Sequence, residues 1–153
     1  MPFRISALSP EPFAPLFALT AAALPAPARR IVATGSGEPC RVSLCDAAAG
    51  ETLLLVHHEH QSADTPFRAG HAIYVRADAE QAHPQADEVP LLFRSRLLSV
   101  RAFDAEGMMR DADVVAGTDL EGTIAVLLAD ARTAYLHLHA AKPGCYLARV
   151  DRA

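Results

Sequence analysis

The chain contains no tryptophan, only three cysteines and no run of like charges longer than two residues. Because no two cysteines form a Cys-x-x-Cys pair, zinc-ribbon and thioredoxin-like motifs are absent. An odd number of cysteines fits poorly with a closed disulfide framework, although a bridge between Cys40 and Cys145 stays open if their strands are neighbours. We therefore expect reduced thiols and a cytoplasmic location.

A strong positive charge is also missing from the sequence. The formal net charge is -4, and acidic and basic residues are interspersed rather than gathered into a stripe. Nucleic-acid binding depends largely on basic side chains that neutralise phosphates. We therefore expect no nucleic-acid partner for this chain.

No segment is long and apolar enough to predict a transmembrane helix. The stretch 13–28 is apolar and ends in Ala-Pro-Ala, which resembles a signal-peptide cleavage site. Prolines interrupt the stretch, and Arg4 is the only basic residue that precedes it. We therefore expect neither a signal peptide nor a membrane association.

The composition that is present suits one ordinary globular domain. The chain has 153 residues, of which 51% are hydrophobic and 21% are charged, enough to bury a core without disulfide bridges. Short segments of alternating apolar and polar residues predict strands, and the short links between them predict hairpins. The predicted strands are 3–8, 29–34, 40–45, 52–59, 71–76, 97–103, 108–115, 135–140 and 145–151.

Helices are predicted at fewer places. A short helix begins at Ser9-Pro10, and one turn is predicted over 90–94. Thr118 and Glu121 have the spacing of a capping box, and the apolar residues after them predict a helix over 118–129. Many strands and few helices predict a single α+β domain over residues 1–153, with a mostly antiparallel sheet and one or two packed helices.

Several blocks of the sequence resemble one bacterial family. These blocks are PCRVSL at 39–44, EHQ at 59–61, HAIYVR at 71–76, DADVV at 111–115 and GCYLAR at 144–149. Together they are similar to the family called domain of unknown function 1203, and the resemblance covers nearly the whole chain. It implies a stand-alone bacterial protein, and it implies no activity, substrate or catalytic residue. Where the family pattern has an aromatic residue before Glu59-His60, this chain has His57-His58.

The sequence has seven histidines, and two of them share a predicted strand. Because residues two apart on a strand share a face, Tyr135, His137 and His139 point one way while Leu136 and Leu138 point into a core. The plainer interpretation of the histidine face is a polar sheet surface with rings hydrogen-bonded to carboxylates and backbone.

A divalent metal ion is the second interpretation of the same histidines. Two neutral imidazoles two residues apart can both ligate one ion. A third ligand could come from His60, His71 or Cys145. We predict a metal site made of His137, His139 and His71.

Cys145 is the candidate nucleophile, because it follows a Lys-Pro-Gly turn that allows close backbone approach. A reactive thiol needs a base within hydrogen-bond reach, and His139 lies across the predicted turn. We predict Cys145 and His139 as catalytic residues if the chain is an enzyme. The plainer interpretation is a buried cysteine that packs as a small hydrophobic residue.

Arginines in or beside strands are candidate binding residues for a small anion. A guanidinium presents a planar fork of donors that matches a carboxylate or a phosphate. We predict an anion site drawn from Arg41, Arg76, Arg149, His60 and His71. The plainer interpretation is that the arginines form surface ion pairs that contribute little to stability.

Two functions from different classes follow from these patterns. The first is a small-molecule or metal-binding protein, with enzymatic activity left open, whose polar pocket contains histidine, arginine and cysteine. The second is an interaction module that acts through a homodimer or a partner complex. The apolar cluster Leu91, Leu92 and Phe93 is the candidate contact surface of that module.

Overall fold

Two sheets of five strands each, both mostly antiparallel, form the framework of the protein. The computed structural model describes residues 1–153. The strands are β1 (Phe3–Ser6), β2 (Arg29–Val32), β3 (Pro39–Cys40), β4 (Cys45–Asp46), β5 (Thr52–Gln61), β6 (Ala69–Arg76), β7 (Leu97–Phe103), β8 (Met109–Ala116), β9 (Tyr135–Ala140) and β10 (Tyr146–Arg152). The helices are α1 (Ala14–Phe17), α2 (Leu91–Arg94) and α3 (Leu120–Ala129), with 3-10 turns at 21–23 and 117–119.

The first sheet has the strand order β1-β10-β9-β7-β8, so β9 is its central strand. Helix α3 packs against β7, β8 and β9. Leu136 and Leu138 of β9 and Ile124 and Leu128 of α3 are fully or almost fully buried in the larger core. Burying a side chain of this size stabilises the fold by roughly 1.5–3 kcal/mol, so this layer holds the first sheet and its helix together.

The second sheet has the strand order β2-β5-β6-β3-β4. Strands β5 and β6 form the predicted antiparallel hairpin, with Leu54 opposite Val75 and Val56 opposite Ile73. These four apolar residues are buried together with Phe13, which precedes α1. The N-terminal apolar stretch therefore covers one side of the second sheet, and it belongs to the fold as the family resemblance implies.

The α+β class predicted from the sequence is confirmed, and the strands divide between two sheets rather than one. Residues 40–45 do not form the predicted single strand, because a turn at 41–44 folds β4 back onto β3. Leu44 has a φ of 52° in this turn, a left-handed conformation that extended residues do not adopt. The short N-terminal helix begins at Ala14 rather than at Ser9-Pro10.

The predicted helix at 118–129 is present as α3, but its capping box is not. Asp119 is the N-cap residue and makes no side-chain capping bond, because a 3-10 turn precedes the helix. Glu121 instead accepts hydrogen bonds from Arg94 of α2. A Cβ atom at Gly117 would lie 1.7 Å from the Phe93 carbonyl oxygen, so this contact between the turn and α2 requires glycine.

The apolar cluster at 91–93 is not a surface patch, so this prediction is wrong. Leu92 and Phe93 are buried in the larger core, and only Leu91 is exposed. The cause is the single turn of α2, which directs two of its three apolar side chains inwards. The homodimer itself stays a prediction, without this cluster as its contact surface.

None of the helices has the length and the apolar character that crossing a membrane requires.

Candidate functional site

A cavity of about 460 Å³ lies at the junction of the two sheets. The second sheet contributes Pro39 of β3, Leu55 of β5 and the middle of β6, and the first sheet contributes the start of β7 and the turn between β9 and β10. The apolar part of the wall includes Leu55, Tyr74, Leu97, Ala140 and Pro143. The basic side chains of the wall are Arg41, His71, Arg96 and Lys142, and no acidic side chain lines the cavity. The cavity is therefore basic although the whole chain carries a net charge of -4.

Arg41 is the most buried basic residue of this wall, with 1% of its surface exposed. Its Nε donates to the Tyr146 carbonyl at 2.8 Å, and its Nη1 donates to the Pro39 carbonyl at 2.6 Å. None of the seven ion pairs of the protein includes Arg41, so no carboxylate neutralises its charge. Burial lowers the pKa of Arg41, and the neighbouring Cys145 thiol acts in the opposite direction. Arginine starts from so high a pKa that the group remains a cation.

The other basic residues of the wall differ in how many hydrogen bonds and ion pairs they already form within the protein. Arg96 is paired with Asp46 and also donates to the Leu92 carbonyl at 2.7 Å. His71 places its Nδ1 2.9 Å from the Ala72 carbonyl oxygen. A carbonyl oxygen only accepts, so Nδ1 carries the proton and Nε2 is left free to bind another group.

A second group of polar rings, the histidine cluster, lies where β5 faces β9 and β10. It consists of His60, His137, His139 and Tyr146. The ring centroids of His60 and His139 are 4.8 Å apart, and those of His60 and His137 are 6.1 Å apart. The Tyr146 ring stacks on His60 with a centroid distance of 5.4 Å. Strand pairing creates this arrangement, because Tyr146 lies opposite His139 in the first sheet.

Three ring nitrogens of the histidine cluster are buried without a hydrogen-bond partner. They are Nδ1 of His60, Nδ1 of His137 and Nε2 of His139. Burial lowers the pKa of His60 to about 4 and the pKa values of His137 and His139 to about 3. Nearby arginines, Arg101 among them, act in the same direction. All three imidazoles are therefore neutral at physiological pH.

The interpretation of the histidine face as an exposed polar surface is wrong, although His139 does contact a backbone carbonyl, that of Gly144. His137 is 4% exposed and His139 is fully buried. The second sheet covers the face that carries them, while α3 packs on the other side of β9. Strand β9 is therefore buried on both faces, and its histidines have no contact with carboxylates.

The predicted metal triple of His137, His139 and His71 does not come together. His71 lines the basic cavity, whereas the two β9 histidines lie in the histidine cluster. No group of three His, Cys, Asp or Glu side chains has the spacing of a metal site in this structure. On β6, His71 lies opposite His58, and its Nδ1 contacts the carbonyl oxygen of the adjacent Ala72 rather than a ring of β9.

The predicted catalytic pair of Cys145 and His139 is also not formed. His139 lies opposite Tyr146, and its Nδ1 is 2.9 Å from the Gly144 carbonyl oxygen rather than near a thiol. Cys145 packs in the larger core and lines the cavity beside Arg41. All three cysteines are free, so a bridge between Cys40 and Cys145 is absent.

Arg76 and Arg149 do not reach the cavity, and both form ion pairs instead. Arg76 contacts Glu51 at 2.7 Å, and Arg149 contacts Asp151 at 2.7 Å. The Arg149 guanidinium also lies 4.0 Å from the centroid of the Tyr135 ring. Among the predicted binding residues, the structure brings Arg41 and His71 to the cavity and His60 to the histidine cluster.

Sequence reasoning missed several residues of these two sites. Tyr146 and His58 join the rings, with centroids 5.7 Å apart, and Arg101 lies opposite His137 on β7. No sequence signal identifies which distant strands become neighbours or which sheets face each other, so the positions of Arg101 beside His137 and of Tyr146 against His60 required the structure. Lys142 did carry a signal, because it belongs to the turn that directly precedes Cys145.

The fold and the sites define a class of protein: an α+β domain of two five-stranded sheets with a basic cavity and a buried histidine cluster at their junction. The chain belongs to the family described as Protein of unknown function (DUF1203), which matches residues 37–152. The family predicted from the sequence is thereby confirmed. Comparison with curated proteins and with solved structures gives no match. The matched region contains β3 to β10 and so includes both sites.

Proposed function

We propose that this protein binds a small organic anion in the basic cavity, with Arg41 as the principal recognition group. One observation carries the proposal: Arg41 is 1% exposed, has no carboxylate partner and lines a cavity without acidic side chains. A buried cation without a counter-ion is unfavourable. An anion that enters the cavity would supply the missing counter-charge.

The hydrogen bonds of Arg41 indicate how an anionic group would bind. Nε and Nη1 of the guanidinium donate to backbone carbonyls, the Cys145 side chain is a further neighbour of the group, and no oxygen of the protein accepts from Nη2. A carboxylate or phosphate oxygen can accept from Nη2, and it can accept from Nε2 of His71 only when both nitrogens of that ring carry protons. Two carbonyls hold Arg41 in place, so little further ordering is needed on binding.

The walls of the cavity indicate the rest of the ligand. Its volume of about 460 Å³ falls in the range of small-molecule sites. Leu55, Tyr74, Leu97 and Pro143 provide apolar surface next to the basic groups. These features favour a metabolite-sized compound with one anionic head and an apolar or aromatic body. We also expect a bacterial cytoplasmic protein, since free thiols such as Cys145 persist in a reducing compartment.

Ligand-induced thermal stabilisation tests this proposal with probes that differ only in charge. Benzoate and phenyl phosphate should raise the Tm, whereas neutral benzamide should not, because only the anions pair with Arg41. The Arg41→Gln variant should lose the stabilisation. Arg76→Gln is the matched control, because Arg76 pairs with Glu51 outside the cavity wall.

Two outcomes would overturn the anion site. One is equal stabilisation by benzoate and benzamide, and the other is full retention of the anion effect in Arg41→Gln. If Arg41→Gln does not fold, Lys142→Gln serves as a second variant, because Lys142 lines the same cavity from an exposed turn. It should weaken the anion effect without removing it.

A further inference from the structure

The basic cavity contains one nucleophilic side chain that the proposed anion site does not use, the thiol of Cys145. Cys145 is free and 8% exposed, and it is the only cysteine that lines the cavity. Of the other two cysteines, Cys40 is fully buried in the second sheet and Cys45 is exposed on β4. Cys145 is therefore sheltered from bulk solvent, but a small reagent that enters the cavity can reach its side chain.

The neighbour of this thiol is a cation without a counter-ion. The Cys145 side chain lies beside the Arg41 guanidinium and partly offsets the lowering of its pKa by burial. Arg41 is 1% exposed, takes part in none of the ion pairs, and shares the cavity wall with no acidic side chain. A negative charge that forms on Cys145 would therefore meet an uncompensated positive charge away from water, where Coulomb attraction is strong.

We propose that Cys145 is a site of reversible oxidation by hydrogen peroxide, and that the sulfenate formed there pairs with Arg41 and excludes anions from the cavity. The exclusion, though not the oxidation, rests on the proposed anion site. Oxidation supplies from within the protein the counter-charge that an anionic ligand would otherwise bring. The cavity is thus open to its ligand under reducing conditions and closed under oxidising ones.

The chemical step needs only the thiol and one molecule of peroxide. The sulfur attacks one peroxide oxygen, so an S–O bond forms while the O–O bond breaks. Hydroxide leaves with the electron pair and takes up the thiol proton to form water. Sulfur loses two electrons and the peroxide gains them. The resulting sulfenic acid releases its hydroxyl proton to solvent and becomes the sulfenate that faces Arg41.

The surroundings of Cys145 also determine how the step is reversed. No second cysteine lines the cavity, so no neighbouring thiol is available there to convert the sulfenate into an internal disulfide. An external thiol can condense with it to a mixed disulfide and water, and a second thiol then releases the reduced cysteine. Dithiothreitol should therefore restore the thiol and the open cavity.

Exposure and charge predict opposite orders of oxidation for Cys45 and Cys145. Susceptibility of a cysteine depends on access and on how well its surroundings stabilise negative charge on sulfur. Cys45 is the more accessible residue, whereas Cys145 has the buried cation beside it. Faster oxidation at Cys145 would therefore report the effect of Arg41 rather than that of access.

Dimedone trapping followed by peptide mass spectrometry tests the oxidation in the reduced, full-length protein. After addition of peroxide, we expect sulfenate labelling at Cys145 to be several-fold faster than at Cys45, and dithiothreitol added before dimedone should prevent it. Arg41→Gln should remove the preference for Cys145. Arg76→Gln is the matched control and should retain it, because Arg76 lies outside the cavity wall. If Arg41→Gln does not fold, the comparison of the two cysteines in the wild-type protein still decides the result.

The benzoate-induced rise in Tm tests the exclusion of anions. Benzoate should stabilise the reduced protein and the protein restored with dithiothreitol, but not the peroxide-treated protein. In Cys145→Ala the benzoate shift, whatever its size, should be the same before and after peroxide. Cys45→Ser is the matched control for the cysteine outside the cavity, and it should respond to peroxide as the wild-type protein does.

The two measurements fail separately. Labelling at Cys145 that is no faster than at Cys45, or a preference that survives in folded Arg41→Gln, would overturn the oxidation site. Selective labelling of Cys145 with an unchanged benzoate shift would overturn the exclusion of anions. If benzoate does not stabilise even the reduced protein, the anion site and the exclusion both fail, whereas selective labelling of Cys145 would still establish the oxidation site.

Discussion

The basic cavity and the histidine cluster both bury basic nitrogen groups at the junction of the two sheets, yet burial has opposite consequences for them. It lowers the pKa of Arg41, which starts from 12.5 and so keeps its charge. It lowers the pKa values of His137 and His139 from 6.5 to about 3, which removes their charge at neutral pH. The same desolvation therefore produces a permanent cation in one region and neutral lone pairs in the other.

Acidification is expected to have the largest effect, and between pH 6.5 and about pH 4.5 it should act mainly on the histidine cluster. An unfolded histidine binds its proton at about pH 6.5, whereas folded His137 and His139 bind theirs only at about pH 3. Unfolding therefore takes up protons between these values, and stability falls as the pH drops below about 6.5. The two residues give a slope of up to about 3 kcal/mol per pH unit. Urea unfolding at a series of pH values measures it.

The double variant His137→Gln/His139→Gln provides the control for this slope. It should remove the part of the pH dependence between about pH 4.5 and 6.5 that His137 and His139 contribute, and it should leave the smaller part that His58 and His60 contribute. The lower limit avoids Asp130, whose pKa is lowered to about 2 by Arg132 and which begins to titrate in stronger acid. A slope that is unchanged in the double variant would place the titration outside the cluster.

Replacement of Arg41 by methionine is expected to have the next largest effect. It leaves the Tyr146 and Pro39 carbonyls without their buried donors, which should lower the free energy of unfolding by about 2 kcal/mol. Unlike the histidine effect, this loss should be the same from pH 5 to pH 8, because the guanidinium stays charged throughout. Urea unfolding at both ends of that interval provides the measurement, and a strong pH dependence would contradict it.

The charge of the cavity should also change the reactivity of its thiol. Cys145 lies beside Arg41 in the cavity wall, whereas Cys45 is exposed on β4. We expect the rate ratio of iodoacetate to iodoacetamide to be several-fold higher at Cys145 than at Cys45, because Arg41 attracts the anionic reagent. Peptide mass spectrometry measures both sites in one sample. Equal ratios at the two thiols, or a ratio unaffected by Arg41→Gln, would contradict this expectation.

The smallest effect is expected for Arg76, which belongs to neither region. Its pair with Glu51 is partly exposed, with side-chain exposures of 28% and 32%. Such pairs contribute roughly 0–1 kcal/mol, so Arg76→Gln should lower the free energy of unfolding by less than about 1 kcal/mol. Urea unfolding measures this change. If Arg76→Gln lowered the free energy of unfolding as much as Arg41→Met does, burial would not explain the difference between the two arginines.

Local patterns in the sequence predicted much of the fold. Alternation located the β5–β6 and β7–β8 hairpins, and the apolar spacing after Leu120 located α3. These signals depend on residues close in sequence, whose spacing decides which side chains share a face. The capping box failed because the backbone before Leu120 forms a 3-10 turn, which its residue types did not reveal.

The candidate sites were predicted only in part, because they depend on which faces meet. Alternation correctly separated His137 and His139 from the leucines of β9, but it could not show that a second sheet covers the histidines. Arg41 was predicted as a binding residue, but the sequence does not show that it is buried with its guanidinium hydrogen-bonded to carbonyls of β3 and β10. Contacts between elements distant in sequence leave no periodic signal, so the grouping of cavity and cluster required the structure.

Strand β9 has no side that faces solvent, and this makes its alignment hard to shift. A slip of one residue against its neighbours would bring Leu136 and Leu138 among the imidazoles and would force His137 and His139 into the aliphatic layer beneath α3. Both exchanges are unfavourable, the first because of shape and the second because of desolvation. A shifted register of β9 is therefore destabilised on both of its faces, and each face alone favours the observed pairing of the first sheet.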